Sequence, residues 1–176
     1  MRRRLSGIGE RTGHKDMLSC TVLCVGKLKE AYLRDACEEY LKRLQSFCKP
    51  RIVEVEEERL PDNPSPALIR KALEAEGVRL LERIPSGAWA AALCIEGKLL
   101  SSPELARTVE RWTVEGCSQL ILIIGGSWGL SEAVKDRAKL RLSMSPMTFP
   151  HQLARVMVLE QLYRAMQISS GGKYHK

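Results

Sequence analysis

Two short stretches of this sequence carry residues that could hold a ligand. In LILIIGGSWGLS, Leu120 to Ser131, an apolar run ends at Ile124 and empties into a glycine-rich turn, followed by a serine able to start a helix. In LSMSPMTFPHQLAR, Leu142 to Arg155, Pro146 and Pro150 hold the residues between them in a restricted, extended path. A glycine turn with free backbone amides after a strand can cradle phosphate, so a dinucleotide site is the first chemistry to weigh. The spacing argues against it. The turn reads GGxxG rather than GxGxxG and follows the fourth strand rather than the first. The next strand ends without a ribose-binding acid, and there is no GK[ST]. A pocket of backbone groups with Met144, Met147 and Phe149, almost without charge, suits adenine and a methionine-like moiety better than a pyrophosphate.

The elements that position these loops follow from periodicity. Leu18 to Gly26 is rich in β-branched and aliphatic residues and predicts a first strand. Tyr32, Leu33, Ala36, Tyr40, Leu41 and Leu44 recur at helical spacing after it. RIVEVEE, from Arg51, predicts a second strand at an edge, and the proline-rich RLPDNPSPA a loop. Ser65 with Pro66 predicts a helix start, and the helix runs to about Arg83. Ala88 to Lys98 predicts a central third strand that turns at Glu96 and Gly97, and Ser102 with Pro103 starts a helix that stops at Gly116. The run QLILII predicts strand four, a short helix begins near Ser131, LRLSMS alternates as strand five, and a last helix spans His151 to Ser169. Strands alternating with helices predict an α/β fold with a mostly parallel sheet flanked by helices. Loops at the carboxyl ends of parallel strands line the ligand crevice, so the end of strand three, the GGSWG turn and the SPMTFP loop should face one another.

At 176 residues, with 44% hydrophobic and 28% charged residues, the chain has material for one core. Residues 1–16 show no apolar periodicity and read as an N-terminal extension, disordered or a start-site artefact, leaving 17–176 as a single domain. The extension holds +3 of the net charge of +7, and the remaining +4 is compatible with a nucleic-acid partner. No run of about 20 apolar residues could cross a bilayer, so a cytoplasmic protein without a membrane partner is expected. The six cysteines, at 20, 24, 37, 48, 94 and 117, form no CxxC pair; buried free thiols and no metal site are expected.

IIGGSWGLS, LSMSPMTFPHQLARVMVLEQLYRA and the terminal YHK together closely resemble the RlmH family of SPOUT-class methyltransferases, which modify large-subunit ribosomal RNA. The likeness runs from Met17 to Lys176 and includes VGKLKEAY; the extension before Met17 has no counterpart, and Gly172 stands where proline is often found. The resemblance implies an α/β fold with a trefoil knot near the C-terminus that holds S-adenosylmethionine. Carried over by motif, the cofactor contacts fall on Leu93, Gly125, Met144, Ser145, Pro146, Met147, Thr148 and Phe149. It also implies methylation of N3 of a pseudouridine in large-subunit (23S) ribosomal RNA on the assembled ribosome.

That reaction needs the two partners in line and a group to take the N3 proton. His151 opens the last helix beside the cofactor loop, and Arg155 lies four residues on. Tyr174, His175 and Lys176 follow a flexible Gly-Gly and could close over the acceptor nucleotide. A capping or packing role for His151 is an equal alternative. The last helix is apolar on more than one stripe, which calls for cover and, with the resemblance, implies a homodimer. Two other readings stand beside this one: a nucleotide- or NAD-binding oxidoreductase on the same α/β alternation, and a ribosome-binding factor without catalysis.

Overall fold

The computed structural model describes residues 17–173. Its apolar runs become the strands of one sheet, β1 (Ser19–Val25), β2 (Lys49–Val55), β3 (Trp89–Leu99), β4 (Gln119–Ile124) and β5 (Leu140–Ser143), in the order β2-β1-β4-β3-β5. Every neighbouring pair is parallel. The helices between them are α1 (Ala31–Leu44), α2 (Pro66–Glu82), α3 (Ser102–Val114), α4 (Glu132–Arg137) and α5 (His151–Ser169).

Helices cover both faces, so β1 and β4 are buried at successive rather than alternate positions. On one face α1, α3 and α5 contribute Cys37, Leu44, Val109, Trp112, Val158 and Leu162 to a core with Val22, Leu120 and Leu122. On the other, Leu80 of α2 and Val134 of α4 pack with Leu23, Val25, Ile121 and Ile123. β2, read as an edge strand from the charged end of its run, lies at one edge. The cysteines are free thiols, all buried except the half-buried Cys94.

Ser65 caps α2 by accepting from the Leu68 amide at 3.3 Å, with Pro66 at the first helical position. For α3 the cap is Ser101, one residue before the predicted Ser102, because Glu104 closes a capping box on Ser101. Tyr32 is exposed; the buried positions of α1 are Leu33, Cys37 and Leu44. Ser131 precedes α4 but makes no cap bond. Its hydroxyl is instead buried, without a hydrogen-bond partner, where a side chain at Gly77 of α2 would stand.

The largest departure concerns β3. It does not turn back at Glu96 and Gly97 but continues to Leu99. Leu93 and Lys98 both pair with Leu142 of β5, so residues 94–97 bulge out of register between them. Gly97 is what lets β3 lie so close, since a Cβ there would stand 2.5 Å from the Leu142 carbonyl carbon and 2.7 Å from the Ser143 nitrogen. Backbone cannot swing aside as a side chain can. Gly97→Ala is therefore expected to lower the unfolding free energy by about 1–3 kcal/mol, as overpacked sites do. A urea midpoint equal to that of the unsubstituted chain would show that β5 yields without cost.

Candidate active site

The carboxyl ends of β3, β4 and β5 open into one cleft of about 830 Å³. Leu93, Gly125, Met144, Ser145, Met147, Thr148 and Phe149 line it, so the three segments expected to face one another do so. Pro146 is exposed and does not line the cleft; it shapes the loop's path from outside. Leu93, Ile124, Leu130, Leu142, Met144 and Phe149 give the cleft apolar walls.

The glycine turn is stiff. The Gly129 amide donates to the Gly126 carbonyl at 3.1 Å, and Gly129 holds φ at +88°, a left-handed value that disfavours any side chain. A Cβ on Gly125 would overlap the Gly129 carbonyl, with its carbon 2.5 Å away. The proline-flanked loop is tied internally as well: the Met147 amide donates to Ser145 Oγ at 3.0 Å, and Ser143 Oγ to the Ser145 carbonyl at 3.1 Å.

Two charged residues in the cleft wall had no signal in the sequence. Glu96, on the β3 bulge, is ion-paired with Lys135 of α4, which also binds Glu132 at 3.1 Å. The Lys135 bond holds the Glu96 carboxyl below its usual value. They are far apart in sequence, and only the bulge brings them together. Cys94 lines the cleft too, but burial raises its thiol, and burial pushes Cys24 up to about 12. Neither is a ready thiolate. Among the described residues no cluster of His, Cys, Asp and Glu could hold a metal ion.

His151 lines the cleft from the first turn of α5. Burial lowers its pKa, Glu57 opposes that, and Arg155 and Lys29 add to it. The imidazole is thus neutral near pH 7 and able to accept a proton. Arg155 is the correction. It is wholly buried and absent from the cleft, because its guanidinium points under α5 to the carboxyl ends of β1 and β2. Nη1 donates to Glu54 Oε1 at 2.7 Å, and Nη2 to the carbonyls of Val25 at 2.9 Å and Gly26 at 2.8 Å. Glu54 Oε1 also accepts the Leu28 amide at 2.9 Å, which ties down the turn of the VGKLKEAY segment. A group held this way cannot touch a substrate; it positions α5. Tyr174, His175 and Lys176 lie outside the described residues.

Comparison with known proteins shows the family. A family model described as "Predicted SPOUT methyltransferase" matches residues 18–175. The "Ribosomal RNA large subunit methyltransferase H" of Pelotomaculum thermopropionicum is 50% identical over 159 residues, spanning 90% of this chain and 99% of that protein. The protein of the same name from Bifidobacterium animalis subsp. lactis is 47% identical over 90% of this chain and 100% of its own. A solved structure described as a probable methylase family protein from Haemophilus influenzae Rd KW20 superposes with a TM-score of 0.52 at 11% identity. It covers 91% of this chain and 71% of that one, a likeness of fold alone.

Arg155→Met would strand the Glu54 carboxylate and two carbonyls. It is expected to cost about 3 kcal/mol in denaturant unfolding, within the range for removing one partner of a buried pair. Arg155→Lys should recover little, since one ammonium cannot span the same acceptors. Near-native stability of either variant would contradict the anchoring role.

Proposed function

The chain belongs to the SPOUT methyltransferase family, and from that premise we propose that it transfers a methyl group from S-adenosylmethionine to N3 of a pseudouridine in large-subunit ribosomal RNA of the assembled ribosome. The observation that carries the reading is the meeting of the β3 bulge, the glycine turn and the proline-flanked loop around one cleft. The NAD-dependent oxidoreductase reading falls with the family assignment.

The residues present fit the cofactor. Apolar walls and close-packed backbone suit adenine and the methylene chain of a methionine moiety, and the Glu96–Lys135 pair offers polar atoms for hydroxyl or amino-acid groups. When bound, the sulfonium cofactor supplies an electrophilic methyl group. The chain's own part is to orient, to exclude water and to move one proton. Leu93, Gly125, Met144, Ser145, Met147, Thr148 and Phe149 form the cradle, with Pro146 setting its curvature. His151, neutral and in the cleft wall, takes the N3 proton as attack proceeds. Tyr174, His175 and Lys176 close over the acceptor nucleotide.

The reading includes a homodimer. Val156, Met157, Tyr163 and Met166 of α5 are only half-buried, and an apolar cleft of about 450 Å³ runs beside them between α3 and α5. A second copy on this face would cover both. The net charge of +7 supports contact with RNA phosphates, which should weaken with salt.

Labelled methyl transfer to intact ribosomes, isolated subunits and naked RNA, followed by mass mapping of the product, tests the reading. Transfer is expected on intact ribosomes, and removal of residues 174–176 should abolish it while S-adenosylmethionine still raises the melting temperature. No transfer to any ribosomal substrate would overturn the function; loss of the thermal shift along with activity would overturn the role of the tail.

For His151 the sign is definite. Its pKa lies below the ordinary value of about 6.5, so the turnover rate should hold at neutral pH and fall only as pH drops through that lowered value. His151→Gln should be slower and lack this acid limb. An unchanged limb in the variant would assign the proton to another group.

A further inference from the structure

We propose that Trp128 is the platform on which the acceptor base stacks as it enters the cleft, an inference that rests on the RNA methyl transfer proposed above. Three large apolar side chains lining the cleft stand open to solvent: Ile95 at 68% exposure, Trp128 at 53% and Met147 at 73%. Each belongs to a different one of the three segments that enclose the cleft, so together they ring its mouth. An acceptor for a methyl group carried in the cleft has to enter past these three segments.

Of the three, Trp128 alone offers a π face. The other two tryptophans are engaged, Trp89 edge-on to Trp112 with centroids 5.6 Å apart and beneath Lys139, whereas Trp128 makes no ring contact among the described residues. Nor does it sit on a yielding loop. The Gly126–Gly129 bridge and the tight approach of Gly125 to Gly129 hold the backbone that carries it, so the indole stands at a fixed place on the rim. A base that reacts at a ring nitrogen must leave its own stack, and proteins compensate by stacking it on an aromatic side chain. The chemistry this surface recognises is therefore a splayed, uncharged nucleobase. A thioether or a branched alkyl group at position 128 would be apolar but could not replace the ring.

Three variants, Trp128→Phe, Trp128→Leu and Trp128→Ala, separate stacking from mere apolar cover. With intact ribosomes as substrate, Leu and Ala are expected to lower kcat/KM on the order of tenfold to a hundredfold, the loss associated with one stacked base. Phe should retain most of the activity. S-adenosylmethionine affinity by calorimetry and oligomeric state by sedimentation should match the unsubstituted chain in all three. Full activity in Trp128→Leu, or equal damage in Phe and Ala, would overturn the stacking role while leaving the function intact. A parallel fall in cofactor affinity would make Trp128 a cofactor cover, and dissociation of the assembly would make it a contact with a second copy; either outcome also overturns the proposal. Inactivity of the unsubstituted chain on every ribosomal substrate is the separate result that would remove the function itself.

Discussion

A fully buried guanidinium costs several kcal/mol to desolvate unless its donors are met, and Arg155 has no exposure at all. Its two terminal nitrogens reach Glu54, Val25 and Gly26, leaving only Nε without a partner. Those acceptors sit at the carboxyl ends of β1 and β2, and the donor sits in the second turn of α5. The bond set therefore decides where α5 begins relative to the sheet. Everything between β5 and α5 must then bridge two fixed points, because β5 is held against β3 by its ladder. The proline-flanked loop spans that gap with its own internal bonds, and His151 is aimed into the cleft by a helix it cannot itself hold in place.

Close backbone approach is the second constraint, and it acts on the other two walls. Gly97 lets the β3 bulge lie on β5, and Gly125 lets the following turn fold onto Gly129. Both are places where a side chain would meet backbone rather than a movable neighbour. The result is a cleft with apolar walls and, among its lining residues, the ion pair Glu96–Lys135. A preformed cleft also leaves the mouth residues Ile95, Trp128 and Met147 uncovered.

Much of this was legible in the linear chain. Helix starts at Ser65-Pro66, the stop at Gly116 and the span of α5 rest on local chemistry, capping and φ restriction, which neighbours rarely override. The misreadings share a cause in tertiary packing. Glu96-Gly97 looks like a turn dipeptide, yet pairing to β5 carries the strand through it. Ser131 does stand at the N-cap of α4, as read, and only its side chain departs, lying against α2 at Gly77 without making the cap bond. Arg155 shares a helical face with His151 on paper, but its length lets it reach under the helix while the shorter imidazole stays in the cleft wall.

What the sequence determined by itself is the kind of structure and the identity of its loops. Alternating apolar runs and capped helices require a parallel sheet covered on both faces, and such a sheet puts GGSWG and SPMTFP at one end of it. Only the tertiary structure decided which side chains in those loops face inward, that Arg155 anchors rather than reacts, and that Glu96 meets Lys135. Those outcomes depend on contacts between residues dozens of positions apart. No local propensity encodes such contacts; the packing of β3, β5 and α5 against one another does.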